Sequence, residues 1–144
     1  MESIGTTAET VAQAFIRAIN RQDVDRLVEL MSPAHRFTDS LGTVVAGREK
    51  MRAGWTAYFR MVPDYAIAIE EFYPGGAPTD RSGDPVIVML GIAGGTFTRD
   101  GSLHPENHWQ TPIAIRAVVE DGLVAEWCVY ADNEPIRRLM AREK

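Results

Sequence analysis

The spacing of apolar residues changes near Pro63, and this change constrains the fold more than any other feature of the sequence. Before Pro63, apolar residues recur every three or four positions, which is the period of a helix with one buried face. The first such stripe is Val11, Ala14, Phe15, Ala18 and Ile19. After Pro63, as in Tyr65, Ile67 and Ile69, they alternate like the residues of a β-strand. Helices followed by strands predict an α+β fold.

Three helices are predicted before the change of period. Thr6 and Glu9 form a capping box at the start of the first helix, and Asp23 can cap the second. A short strand is expected at 35–40. The third helix then follows Gly47, and its apolar stripe consists of Met51, Trp55, Tyr58, Phe59 and Val62.

Long strands are predicted in the second half of the chain. Val86–Thr98 and His108–Val119 have the composition of β-strands, and Gly94-Gly95 predicts a bulge in the first of them. Asp121-Gly122 is a two-residue turn signal. It predicts that the strand over His108–Val119 forms a hairpin with one over Val124–Ala131.

These elements, with a last helix from Pro135, predict a strongly curved antiparallel sheet wrapped around the N-terminal helices. A sheet of that shape encloses a cone-shaped pocket. The 144 residues suffice for one domain, which we expect to span 1–144. The outer face of the long strands is also apolar, so we expect a homodimer that covers it.

Composition excludes several kinds of protein. The 15 Lys and Arg residues are outnumbered by 20 Asp and Glu residues, and no basic cluster indicates a nucleic-acid surface. No apolar segment is long enough to cross a membrane. A single cysteine, Cys128, excludes an internal disulfide, and the N-terminus lacks the pattern of a signal peptide. We therefore expect a cytoplasmic protein that binds neither nucleic acid nor membrane.

The order of elements resembles the nuclear transport factor 2-like superfamily, and within it the SnoaL-like branch of polyketide cyclases and ketosteroid isomerase relatives. The resemblance is carried by AFIRAINRQDVDRLVELM, FTDSLGTVVAGREKMRAGWTAYF, PDYAIAIEEF and RAVVEDGLVAEWCVYADNEPIRRL. It implies a cystatin-like α+β barrel with an internal pocket. The superfamily contains enzymes and non-enzymes, so the resemblance alone does not establish an activity.

Asp39 is the first candidate for a catalytic residue. Ketosteroid isomerase relatives carry a D-x-x-G at this place, and Asp39 with Gly42 matches it. The resemblance implies that Asp39 is a general base, because a carboxylate in a partly dry pocket can accept a proton and return it. The alternative is a structural role in which the Asp39 side chain caps the turn at Gly42.

The isomerase pattern also needs a tyrosine on the first helix and an acid on a late strand. Phe15 stands at the tyrosine's place, and Thr111–Ile115 contains no carboxylate. Cyclase relatives are expected to carry an Asp on that strand too, so its absence counts against both activities. With two donors missing, steroid isomerisation is not predicted. The Asp-Arg-Asp arrangement of limonene-epoxide hydrolase relatives is not recognisable either.

His108 is the second catalytic candidate. HPENHW, with His104, Glu106 and His108, does not form a helix that could align two imidazoles on a metal, so no metal or cofactor is predicted. A histidine at the pocket mouth could still carry a proton. However, strand alternation places His108 on the face opposite Trp109, and Arg116, on the His108 face, suggests that this face is the outer one.

Aromatic residues are the candidates for ligand binding, because flat rings can line a pocket for a cyclic molecule. They are Phe15, Trp55, Tyr58, Phe59, Trp109 and Trp127. The sequence therefore predicts a small apolar ligand in an internal pocket. Asp39 would serve as the base for isomerisation, cyclisation or dehydration without a cofactor. The alternative is a non-catalytic ligand-binding or protein-interaction module of the same fold.

Overall fold

The computed structural model describes residues 7–74 and 85–142. Its helices are α1 (Ala8–Arg21), α2 (Val24–Leu30), α3 (Arg48–Met61) and α4 (Glu134–Arg142). None of the helices in these ranges is both long enough and apolar enough to span a membrane.

Polar side chains cap the first two helices. Thr7, not Thr6, caps α1 by accepting a hydrogen bond from the Thr10 amide at 3.1 Å. The N-cap is therefore one position later than predicted, and Thr6 itself lies outside the described residues. Asp23 caps α2 as predicted, because its carboxylate accepts a hydrogen bond from the Arg26 amide.

Six strands form one sheet in the order β2-β1-β6-β5-β4-β3. Their bounds are β1 (Met31–Thr38), β2 (Val44–Ala46), β3 (Ala66–Pro74), β4 (Val86–Thr96), β5 (His108–Glu120) and β6 (Leu123–Ala131). A short 3₁₀ turn, Pro105–Asn107, precedes β5. The α+β fold predicted from the sequence is confirmed.

The sheet is mixed, which corrects the prediction of a purely antiparallel one. Strand β1 pairs in parallel with β6, while the other neighbours are antiparallel. The long segment between β1 and β6 supplies the crossover that a parallel pair requires, and the residue pattern does not encode this direction. The β5–β6 hairpin is confirmed. Asp121 and Gly122 have φ values of 52° and 78°, as an Asp-Gly turn of type I′ requires.

Gly94 and Gly95 do not form the predicted bulge, because they pair in regular register with Gln110 and Trp109. The register shifts lie elsewhere, between Met31 and Arg36 of β1, between Ile69 and Glu71 of β3, and between Val118 and Val119 of β5. Instead, these glycines allow neighbouring residues to approach the β4 backbone closely. A Cβ on Gly95 would collide with Val62, and a Cβ on Gly94 would lie 2.5 Å from the Trp109 carbonyl oxygen.

The helices pack on the inner face of the sheet. Helix α1 contacts β3, β4, β5 and β6, whereas α3 contacts β1 and β2. Phe15 of α1 is fully buried, and its ring centroid lies 4.4 Å from that of Trp127. Alternate residues of β5 are buried beneath these helices: Trp109, Thr111, Ile113, Ile115 and Ala117. The core therefore fills the concave side of the sheet.

The close approach of β4 to β3 predicts a specific stability defect. In Gly91→Ala, the new Cβ would collide with the Ala68 carbonyl oxygen and lie 2.9 Å from the Ile69 Cα. Backbone atoms cannot yield without breaking strand pairing, so we expect the free energy of unfolding to fall by about 1–3 kcal/mol.

Gly54→Ala is the matched control, because its Cβ meets nothing within 4 Å. Alanine is favoured over glycine in a helix by about 1 kcal/mol, so this variant should be more stable than wild type. Urea denaturation measures the free energy of unfolding of both variants. Wild-type stability in Gly91→Ala would contradict the close approach.

Candidate functional site

A cavity of about 370 Å³ lies between α3 and the inner face of the sheet. All six strands contribute side chains to it, as does the segment after β6. Its aromatic lining residues are Phe37, Trp55, Tyr58, Tyr65, Trp109 and Trp127. Aliphatic residues, among them Ile67, Ala93 and Ile113, fill the spaces between the rings. Such a lining favours a small, flat, apolar molecule.

Polar residues occupy one end of the cavity. Asp39, Ser40 and Asn133 are half-buried there, and Lys50 is exposed. Trp109 and Tyr65, in contrast, are only 6% and 8% exposed. The cavity therefore has a polar mouth and an aromatic interior. Among the described lining residues, Asp39 carries the only carboxylate.

Asp39 lies in the turn between β1 and β2. Its Oδ1 atom accepts hydrogen bonds from the Leu41 and Thr43 amides, both at 2.9 Å. The turn is fastened to β6 through Ser40, whose hydroxyl donates to the Val129 carbonyl and accepts from the Ala131 amide. Asp39 thus caps the turn and also lines the cavity, so both interpretations from the sequence agree with its position.

The aromatic candidates separate into two groups. Trp55, Tyr58, Trp109 and Trp127 line the cavity. Phe15 and Phe59 do not. Phe15 packs behind Trp127, and Phe59 stacks on Trp55 with ring centroids 5.3 Å apart. Phe15 and Phe59 are buried behind the lining rings and support the walls of the cavity from the core.

His108 lies outside the cavity, on the outer face of β5, where its side chain is exposed. Its Nδ1 atom is 3.1 Å from the Thr96 hydroxyl, which donates to Asp64 at 2.8 Å. Strand alternation explains this position, since Trp109 occupies the inner face. Within residues 7–74 and 85–142, no three His, Cys, Asp or Glu side chains are arranged to hold a metal ion.

Tyr65 and Phe37 also line the cavity, although no motif in the sequence singles them out. Tyr65 precedes β3, and the β3–β4–β5 pairing brings its ring to 6.2 Å from that of Trp109. Tyr65 and Ile67 are two positions apart and lie on the same inward face. This alternation in the sequence indicates that Tyr65 points inward, but the strand order is needed to place it at the cavity. Burial raises the pKa of Tyr58 and of Tyr65 well above the usual range, so both hydroxyls remain protonated at neutral pH.

Comparison with known proteins decides the family. The model of the SnoaL-like domain matches residues 12–127, which include most of α1, the Asp39 turn and most of the sheet. The chain belongs to the SnoaL-like domain family. No curated protein matches the sequence of this chain.

Solved structures share the fold of this SnoaL-like protein. A structure described as a SnoaL-like polyketide cyclase from Shewanella denitrificans has a TM-score of 0.73 at 16% identity, covering 92% of this chain and 96% of that one. An uncharacterised cystatin-fold protein from Novosphingobium aromaticivorans has a TM-score of 0.63 at 24% identity, covering 83% and 93%.

A third structure with this fold contains a small molecule. A hypothetical protein with a ketosteroid isomerase-like fold from Catenulispora acidiphila, in complex with trimethylamine, has a TM-score of 0.67 at 18% identity, with 86% of each chain covered. At these identities, the likeness shows the fold alone.

A buried histidine lies beneath the site of this SnoaL-like protein. His35 of β1 is fully buried, and its Nδ1 donates a hydrogen bond to the Val124 carbonyl at 2.7 Å. Its Nε2 has no hydrogen-bond partner among the described residues. Burial lowers the pKa of His35, against the opposing effects of this hydrogen bond and of the Glu126 charge. The ring is therefore neutral at pH 7.

His35 predicts a loss of stability in mild acid. Below the unfolded-state pKa of about 6.5, the unfolded chain binds a proton that the folded chain does not. The free energy of unfolding should therefore fall as pH decreases from 7 to 5, by up to about 1.4 kcal/mol per pH unit.

His35→Asn keeps a hydrogen-bond donor near Val124 but cannot titrate. Its free energy of unfolding should therefore decrease less between pH 7 and pH 5 than that of wild type. His108→Asn, at the exposed histidine, is the control and should show the wild-type decrease. Urea denaturation at a series of pH values measures the slopes. Equal slopes in wild type and His35→Asn would contradict a buried neutral His35.

Proposed function

We propose that this SnoaL-like protein binds a small, largely apolar organic molecule in the cavity and that Asp39 acts on it as a general base. The reaction class is proton transfer, as in isomerisation, cyclisation or dehydration, and needs no cofactor. The proposal takes residues 1–144 as one domain of a cytoplasmic protein. His108 has no part in it, because its side chain lies on the opposite face of β5.

The observation that carries this proposal is that Asp39 bears the one carboxylate among the described residues that line an aromatic cavity. A carboxylate at the mouth of an apolar cavity can reach a molecule bound inside and accept a proton from it. The trimethylamine in the Catenulispora structure supports the general idea that this fold can hold a small molecule.

The hydrogen bonds of Asp39 support a role in positioning as well. Two backbone amides hold Oδ1, and no donor among the described residues is hydrogen-bonded to Oδ2. One oxygen thus fixes the carboxylate while the other is available to a substrate. A base fixed in this way loses little entropy on reaching the reactive geometry.

A non-catalytic ligand-binding or protein-interaction module is the alternative function. The same two amide hydrogen bonds favour it, because an asparagine at this position could accept both. The absence of a carboxylate in Thr111–Ile115 also agrees with it. The two functions differ in whether proton transfer depends on the charge of Asp39.

Hydrogen exchange of a carbonyl compound distinguishes these functions. We expect wild type to accelerate exchange of the α-hydrogens of 2-tetralone in D₂O, measured by NMR. Asp39→Asn keeps the shape of the turn but removes the proton acceptor, so the rate should fall by about 10²–10⁴-fold.

Asp100→Asn is the matched control, since Asp100 also accepts a backbone hydrogen bond from the residue two positions later, Ser102. This variant should exchange at the wild-type rate. Exchange that is equally fast in Asp39→Asn, or no acceleration by wild type, would contradict the catalytic role and favour the non-catalytic module.

We further propose that the protein forms a homodimer through the outer face of the sheet. Val88, Leu90 and Ile92 of β4 are half-buried on that face, although apolar residues of this kind are normally covered. Leu90 pairs with Ala114 of β5, and Tyr130 of β6 is 59% exposed beside it. A second copy of the chain would cover this surface.

Light scattering coupled to size exclusion tests the dimer. We expect wild type at twice the chain mass of 16.0 kDa. Leu90→Arg buries a charge in the interface and should shift the protein to a monomer, whereas Gln13→Arg, on exposed α1 surface, should leave the dimer intact. A wild-type monomer at micromolar concentration would overturn this part of the proposal.

A further inference from the structure

Every tryptophan of the chain lines the cavity. The sequence contains three, Trp55, Trp109 and Trp127, and they come from α3, β5 and β6. Tyr58 and Tyr65 line the same space. The face of an aromatic ring is negative and attracts cations, and tryptophan does so most strongly. The cavity therefore brings together the ring types that suit a positively charged group.

The rings are inclined to one another and do not lie in parallel layers. Tyr58 and Tyr65 are nearly perpendicular, at 88°, with ring centroids 5.0 Å apart, and Phe37 meets Trp55 at 73°. The ring of Trp109 is inclined by 36° to that of Tyr65. Because these rings come from separate elements, they border the space from several sides. Such an arrangement can surround a compact group as well as a flat one.

Two of the tryptophans offer only their carbon surface to a molecule in the cavity. The Nε1 atoms of Trp55 and Trp109 are buried and have no hydrogen-bond partner among the described residues. A bound anion or carbonyl oxygen therefore could not reach these N–H groups. The two rings contribute apolar contact and the attraction of their π-electrons.

The charges of the lining also favour a cation. Asp39 bears the one carboxylate among the described lining residues, and it is half-buried. Lys50 is the one cation of that lining, but its side chain is exposed at the mouth, where water and salt screen its charge. The charge of a half-buried group is screened less. The negative charge of Asp39 is therefore felt more strongly inside the cavity than the positive charge of Lys50.

We propose that the cavity binds small organic cations whose charge lies on a methylated ammonium group, with the aromatic rings around that group and Asp39 as its counter-charge. This inference rests on the proposed ligand-binding function and adds the charge and chemical class of the ligand. A methylated ammonium group is less strongly hydrated than a primary one, so it loses less on leaving water. Its methyl groups suit the aliphatic surface of Ile67, Ala93 and Ile113 between the rings.

Pairs of molecules that differ only in charge test this inference. Phenyltrimethylammonium and tert-butylbenzene have the same shape, but a carbon atom replaces the positive nitrogen in the second. Choline and 3,3-dimethyl-1-butanol form a smaller pair of the same kind. Equilibrium dialysis gives the Kd of each. The neutral member is the more hydrophobic one, so a merely apolar cavity would bind it more tightly. We expect wild type to bind the cation of each pair about tenfold or more tightly than its neutral partner.

Fluorinated tryptophan tests the role of the rings with little change of shape. Expression with 5-fluorotryptophan labels only cavity residues, because all three tryptophans of the chain line the cavity. Fluorine withdraws electrons from the ring and weakens the attraction of its face for a cation. The Kd of phenyltrimethylammonium should rise by about two- to fivefold. The Kd of tert-butylbenzene, the control in the same protein, should stay unchanged.

Asp39→Asn tests the counter-charge. The variant keeps an oxygen that can accept the hydrogen bonds of the Leu41 and Thr43 amides. The Kd of phenyltrimethylammonium should rise by about tenfold, whereas the Kd of tert-butylbenzene should not change. Asp100→Asn removes a turn carboxylate outside the lining and is the control, which should bind both molecules like wild type.

The outcomes separate this inference from the function on which it rests. If wild type binds the neutral members as tightly as the cations, or if neither fluorination nor Asp39→Asn weakens cation binding, the cation site is overturned while the cavity remains a binding site. If no member of either pair binds wild type, the proposed ligand-binding function fails together with the inference.

Discussion

The attachment of helix α3 to the sheet at both of its ends is the constraint on which the cavity depends. At its start, the Gly47 amide donates to the His35 carbonyl at 2.8 Å, and the Arg48 guanidinium donates to the Met31 carbonyl at 2.7 Å. At its end, the Thr98 amide donates to the Met61 carbonyl at 2.9 Å. The helix is thus held over the concave sheet at two points. Side chains of α3 do not fill the space between, and that space is the cavity.

The glycine-rich end of β4 makes the second attachment possible. Any side chain at Gly95 would collide with Val62, directly after α3, and a Cβ there would lie 3.1 Å from the Tyr65 Cα. Because β4 comes this close, Asp64 can accept hydrogen bonds from the amide and the hydroxyl of Thr96. The same contact fixes where Tyr65 enters the cavity. A feature of backbone packing therefore determines a part of the site, with no direct role in chemistry.

Local patterns predicted the elements well, because periodicity and turn chemistry are local properties. The Asp121-Gly122 hairpin and the Asp23 cap follow from a few neighbouring residues, and the inward face of Trp109 follows from alternation. The direction in which two strands pair depends on residues far apart in sequence, so the local pattern does not predict the parallel β1–β6 pair. The register at Gly94-Gly95 depends on distant residues too, so the local pattern does not predict that β4 is regular there. For the same reason, the sequence does not place Tyr65 at the site, and it predicts a lining position for Phe15 and Phe59, which only support the lining.

Native mass spectrometry tests most directly the central claim that the space beneath α3 is a binding site. The protein, purified without denaturation and incubated with an excess of a small aromatic ketone, should carry one such molecule per chain, and denaturation should release it. A matched spectrum of Ala93→Phe, whose added ring projects into the cavity, should lack the bound molecule. A native spectrum that shows only the bare chain of wild type, or equal occupancy in Ala93→Phe, would contradict the account.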